Sequence, residues 1–281
     1  MVIPRVKDLD LGKWLMIGEY KYMINITKVR EEFEKYLDNY ENHDDPGFKL
    51  KVVHTYHVVD NAKQISTNMN LSQTDIELAQ LIAYFHDIGR FEELRVFKDF
   101  ASERNDHALF GSKVLFEGNL IRQFIKDESY DHIIKKAIEN HNKFAIEDGL
   151  TDEELLHAKI IRDADKLDNY RVFKTEPIEA LFPGKFSSVE EFNNSVISDK
   201  VYSDILEHKC IDVHDRVHPL DYWLCILVFV FDINFKETLN VIEKENYVNA
   251  LIDRFTYNNE DTKNKMENIR NILISYMKNR V

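Results

Sequence analysis

"LIAYFHDIGRFEEL", residues 81–94, runs an apolar helical stripe straight into two adjacent polar side chains. Leu78, Leu81, Ile82 and Phe85 recur at the spacing of one helix face, and His86 and Asp87 follow before Gly89. His86 continues the series Leu78, Ile82, so its imidazole falls on the inward side of the helix. Asp87 is turned about 100° further round, which lets one cation above the helix end touch both side chains. A buried carboxylate without a partner is costly, and metal coordination is one of the few ways to remove that cost. For a single His-Asp pair, a hydrogen-bonded histidine beside a solvated aspartate is the better explanation, so the rest of the chain has to decide.

Four more segments repeat the pattern. In "DESYDHIIKKAIENHNKF" (127–144), Ile134, Ala137 and Ile138 form a stripe that ends in His141. In "NDHALFGSKVLF" (105–116), His107 is followed at helical spacing by Gly111, Val114 and Leu115, and Gly111 would let another backbone approach closely. In "LLHAKIIRDADKLDNY" (155–170), Asp165 follows Ala158 and Ile161 on the inward face, with Asp163 and Asp168 beside it. His54 heads the stripe Val58, Ala62, Ile65. Five segments thus turn a His or Asp toward their apolar side, and each such group needs a partner. One metal centre partners all of them.

The global numbers restrict the setting. At 281 residues and 44% hydrophobic, the chain can bury a substantial core. Its 37 basic against 50 acidic side chains give a net charge of −13, which disfavours nucleic acid polymers and anionic membranes as partners. Cys210 and Cys225 are the only cysteines, so no disulfide framework is expected and a reducing, cytoplasmic setting is. The start, "MVIPRVKDLDLGKW", has no signal-peptide apolar region, and "YWLCILVFVF" (222–231) covers only half a bilayer and reads as a core helix.

With 8 Gly, 5 Pro and no alternating strand pattern, the sequence predicts an all-α fold. The expected helices are 27–43, 48–69, 73–88, 105–118, 130–143, 152–173, 188–208, 220–232, 235–257 and 260–279. Ser72 or Thr74 caps the third. The break at 176–188 is short for a linker, so residues 1–281 are expected to form one domain: a metal-site core over 26–175 and a helical extension over 176–281.

The ordered set "HTxxV", "FHDIGR", "DHAxxG", "AIxxHN" and "IRDADKLDN", spanning about residues 48–173, resembles the HD superfamily of metal-dependent phosphohydrolases. The resemblance implies a helical bundle in which His54, His86, Asp87 and Asp165 hold one divalent ion. His107 and His141 match members that hold a second ion, with Asp87 bridging the two. The family's valine, four residues after the first ligand, fits His54 with Val58, which makes His57 a supporting or substrate-side group. "ADKLDN" is similar to the "ADRLHN" segment of guanosine-tetraphosphate hydrolases. That similarity points to Asp165 as the last ligand and leaves Asp163 to orient a histidine N–H.

Histidine and carboxylate ligands without thiolate suit Mn, Fe, Mg, Zn, Co or Ni, and paired ions lower the pKa of water and neutralise phosphate oxygens. Asp87, Arg90 and Lys166 are therefore the expected catalytic residues. Arg90, Lys166, Asn169 and His57 are the expected contacts to a small phosphate-containing substrate, such as a phosphate ester or nucleotide. Arg95, Lys98 and Arg104 are candidates for a basic lip. "HDIGRF" lacks the acidic pair of guanosine-tetraphosphate hydrolases, and no "GYP" motif follows, so neither of those specialised substrates is expected. Two other classes share the pattern: a di-iron oxygenase similar to myo-inositol oxygenase, and a non-catalytic metal-bearing regulatory protein. Homodimerisation is compatible with all three. "HKCIDVHDRVH" (208–218) reads as solvated surface rather than a second metal cluster.

Overall fold

The computed structural model of the chain describes residues 24–41, 43–97 and 106–280; Lys98 and Arg104 lie outside them. Its helices are α1 (Ile26–Asp38), α2 (Pro46–Asn68), α3 (Gln73–Phe85), α4 (Ile88–Phe97), α5 (His107–Phe116), α6 (Asp131–Asn140), α7 (Asp152–Thr175), α8 (Asp199–Leu206), α9 (Pro219–Leu227), α10 (Lys236–Lys244), α11 (Tyr247–Ile252) and α12 (Glu260–Lys278). Single turns occur at Ile121–Phe124, Ile178–Leu181 and Val189–Asn193. The described residues contain no strand, so the fold is all-α, as the composition and periodicity require.

The helix starts follow from local chemistry. Asp45 accepts from the Phe48 N–H with Pro46 at the first helical position, and Ser72, not Thr74, accepts from the Asp75 N–H. Thr151 and Glu154 form a reciprocal capping box that opens α7.

Two apolar clusters meet along α7. Ile160, Ile161 and Ala164 face the first, which is built from α1 to α6. Leu167, Tyr170 and Phe173 face the second, which is built from the C-terminal helices around Trp223. Helix α2 packs on α3 and α7, and α6 packs on α7. Gly89 of α4 meets α5 so closely that a Cβ there would sit 2.0 Å from the His107 carbonyl oxygen, while one at Gly111 would sit 2.9 Å from the Gly89 nitrogen. The close crossing expected at Gly111 is thus between α4 and α5, and it sets His107 beside the His86-Asp87 link.

The expected helix 73–88 stops at Phe85, because the His86 ring reaches back to the Ala83 carbonyl and competes for a helical acceptor. The chain then re-enters α4, a helix the periodicity missed. The expected helices 188–208 and 235–257 are each broken. In the first, Asp221 captures the Ser198 N–H just before α8. In the second, Asn246 takes a left-handed conformation with φ 54°. "YWLCILVFVF" is core: Trp223, Leu224, Leu227, Val228 and Val230 are buried. No helix among the described residues is long and apolar enough to cross a membrane.

Candidate metal centre

Six side chains from separate elements converge between α2, α3, α5, α6 and α7. His54 lies mid-way along α2 and Asp165 mid-way along α7. His86 and His141 are the C-caps of α3 and α6, Asp87 sits in the link to α4, and His107 opens α5. They form two triads, His54–His86–Asp165 and Asp87–His107–His141, with the ligand atoms of each within 4.8 Å of one another. Asp87 joins them. Its Oδ2 lies 3.7 Å from His54 Nε2 and 3.4 Å from His86 Nε2, and its Oδ1 lies 3.5 Å from His107 Nε2 and 3.8 Å from His141 Nε2.

The proton positions explain why these groups face one another. His54 Nδ1 is 2.6 Å from Asp168 Oδ2, His86 Nδ1 is 2.8 Å from the Ala83 carbonyl and His141 Nδ1 is 2.7 Å from the Ile138 carbonyl. Each Nδ1 therefore donates its N–H, which leaves a lone pair on Nε2 in the neutral ring. Yet His54 and His86 Nε2 lie 3.3 Å apart, and His107 and His141 Nε2 lie 3.1 Å apart. The Nε2 lone pairs of neutral His54 and His86, aimed at each other and at carboxylate oxygens, repel unless positive charge lies between them. A buried set of this kind fits divalent cations, with the second ring nitrogen of three histidines held as metal-binding histidines require. His107 is the exception: the Asn142 amide donates to its Nδ1 at 3.5 Å, which puts the N–H of the neutral ring on Nε2, 3.1 Å from His141 Nε2.

The electrostatics agree. Burial disfavours a charged His54, but the hydrogen bonds to Asp165 and Asp168 overcome it and raise its pKa to about 9. Burial and the neighbouring His141 push His107 down to about 2. Against the opposing effect of burial, Lys51 and His86 hold Asp87 well below the usual carboxylate range, and the His54 hydrogen bond lowers Asp165.

The remaining expected residues divide. Lys166 lies beside Asp165 but is paired with Asp232 at 2.8 Å. Asn169 donates to Asp165 Oδ1 at 3.1 Å, so it holds that carboxylate rather than standing free for substrate. Arg90 donates to Glu93 at 3.0 Å and is close enough to His107 to depress its proton affinity. Arg95 is paired with Glu92, on the side of α4 that faces Tyr36 and Tyr40. His57 is exposed on α2, one turn from His54, and does not share the cavity described below. Asp163 does not orient a histidine: it accepts from Asn234, Phe235 and Thr238 and ties α7 to the C-terminal helices. Asp168 takes the role expected of Asp163, because on α7 a step of three residues from Asp165 stays on the same face, whereas a step of two does not.

Three features escaped the sequence reading. Lys51 donates to Asp87 Oδ2 at 2.5 Å, and its place one turn before His54 was the available signal. Arg162, fully buried, donates to the carbonyls of Asn140, His141 and Lys143 and so fixes the loop after His141. A cavity of 460 Å³ opens from His141 and Asp165 outward, with Cys210, Ile211, Asp212, Val213, His214 and Arg216 along one wall. The segment read as solvated surface is exposed at 212–214, as expected, but it also flanks the centre.

Residues 52–170 match the HD domain. The chain is an HD-domain protein. No curated protein and no solved structure matches it. The matched span contains all six converging residues, together with Arg162, Lys166, Asp168 and Asn169. Lys51 and the outer cavity wall fall outside it. HD domains are in general metal-dependent hydrolases, and both triads suit a divalent ion.

Proposed function

We propose that the chain is a divalent-metal-dependent phosphohydrolase that cleaves a phosphate ester or nucleotide phosphate. His54, His86 and Asp165 would hold one ion and His107 and His141 the other, with Asp87 serving both. The observation that carries this reading is the Asp87 carboxylate, each of whose oxygens faces a different histidine pair. When bound, the ions supply Lewis acidity: they lower the pKa of water and offset charge building on phosphate oxygens.

The chain's own residues do the positioning. Asp168 and the carbonyls of Ala83 and Ile138 lock three imidazoles with Nε2 inward, and Asn169 fixes the Asp165 carboxylate. Lys51, with 29% of its side chain exposed, can turn from Asp87 to a phosphate oxygen. Lys166 offers a second cation from the opposite helix, and Arg90 a third beside His107. The apolar core packed behind the ligands lowers the local dielectric, which strengthens each of these interactions.

The test is elemental analysis of the purified protein, followed by a panel of phosphomonoesters, phosphodiesters and nucleotides under the metal found. Release of phosphate or pyrophosphate that Asp87→Ala abolishes is expected. Silence of the metal-loaded protein across the whole panel overturns the reading, and oxygen uptake by an iron-loaded form would replace it with the oxygenase.

A further inference from the structure

The cavity beside the centre is built from two parts of the chain with different chemistry. Its inner end is His141 and Asp165, and its body is closed by α9 and the turn that follows, outside the matched HD domain. A group esterified to a phosphate held beside Asp165 can extend into it. At 460 Å³ it accommodates a ring system larger than a simple sugar.

The cations around this space are already engaged. Asp232 Oδ2 accepts from Arg162 at 2.5 Å and from Lys166 at 2.8 Å. Lys143 is paired with Glu147 at 2.6 Å. The Arg216 guanidinium lies 4.4 Å above the Tyr222 ring and donates to the Val213 carbonyl. A second anionic group, or a ring of hydroxyls, would have to compete with partners these side chains already hold. Asn142, Asp212 and His214 add polar groups to the wall, and the rest of the lining is carbon and sulfur surface. Ile226 on α9 and Phe229 on the turn that follows it are half-buried, with Ile211 and Cys225 beside them, and Phe144 lies at the rim with 65% of its surface exposed.

We propose that this cavity is the specificity pocket for the organic part of the phosphate ester, and that Ile226 and Phe229 select a flat, apolar group such as an aryl ring over a polyol or sugar. The inference rests on the hydrolase reading for its substrate, but the pocket has its own test. Phe229 supplies a ring face, which stacks on a planar guest, and Ile226 supplies aliphatic surface. Lys166, 5.6 Å from the Phe229 ring, lies between this platform and Asp165, where the phosphate and the organic group would join.

Two measurements on manganese-loaded protein test this. In turnover, kcat/KM for 1-naphthyl phosphate relative to glycerol 2-phosphate is compared among wild type, Phe229→Ala and Ile226→Ser. The ratio is expected to fall about tenfold in each variant, the scale at which apolar pockets discriminate. In calorimetry, the non-hydrolysable 1-naphthylmethylphosphonate is expected to bind more tightly than 2-hydroxyethylphosphonate, with the preference reduced in both variants. Both side chains are half-buried, and a urea midpoint for each variant checks that it folds. A ratio and a binding preference that neither folded variant alters overturn the pocket assignment. Naphthyl binding that the variants weaken, with no phosphate released from any ester, supports the pocket and overturns only the hydrolase reading.

Discussion

Buried aspartates in this molecule fall into two kinds. Where the C-terminal helices pack against the rest of the chain, burial comes with donors. Asp163, fully buried, accepts from the Asn234 and Phe235 N–H groups, the Asn234 amide and the Thr238 hydroxyl. Asp221, also fully buried, accepts from the N–H groups of Ser198, Val217 and His218 and from the Ser198 hydroxyl. In the HD core, Asp87 is almost as buried, yet its cationic donor is Lys51, and its carboxylate otherwise faces the ring nitrogens of four histidines. A carboxylate surrounded by N–H and O–H groups fastens chain segments together. One surrounded by other acceptors marks where a cation belongs.

Substitution separates the two kinds. Asp87→Ala is expected to lower phosphate release on the order of a thousandfold or more. Its metal-free stability should stay within about 1 kcal/mol of wild type, since the site is arranged for function rather than stability. Asp163→Ala is expected to do the reverse: it strands several buried donors and costs about 3–5 kcal/mol in urea unfolding, while the protein that remains folded keeps its metal. An Asp163→Ala protein that unfolds at the wild-type midpoint would erase the distinction.

Asp168 sharpens it from between. It is buried and held by Arg171, but it accepts from His54 rather than from the backbone. Asp168→Ala is expected to weaken metal affinity 10- to 100-fold by competition with a chelator. Equal affinity in variant and wild type would place Asp168 with the fastening carboxylates. The smallest effect lies at the surface. Lys136 and Lys143 hold Glu147 down to about 2, and Glu147 anchors the loop after His141. Because this lies below the free value of 4.5, the contribution is complete above that pH and is lost as pH falls from about 4.5 to 2. With 32% of its side chain exposed, the screened pair contributes about 0.5 kcal/mol, and Glu147→Gln should remove it at pH 7 with little change at pH 2. A loss of equal size at both pH values would rule out the ion pair as the cause.

The apolar stripes ending in His86 and His141 were legible because a residue three or four places after a buried isoleucine has to share its face. So was Gly111, since a small residue one turn after His107 permits a close crossing. Local spacing does not report which carboxylate on α7 turns toward α2 and which toward α10. Asp163 and Asp165 are two residues apart, so a helix sends them to different sides, and only the packing of the C-terminal helices says what each side meets. The break at His86 was hidden for a related reason: the ring competes for its own helix's carbonyl, a choice that pays off only when Nε2 has something to bind.

The sequence alone determined that this chain is helical and that His86 and His141 end apolar stripes, because helical period and apolar spacing are local properties. Tertiary structure alone decided that the two oxygens of Asp87 face two histidine pairs, that Asp168 rather than Asp163 steadies His54, and that a distant segment closes the cavity. Those are distances between elements, and they are set by how side chains of very different sequence position fill one another's gaps.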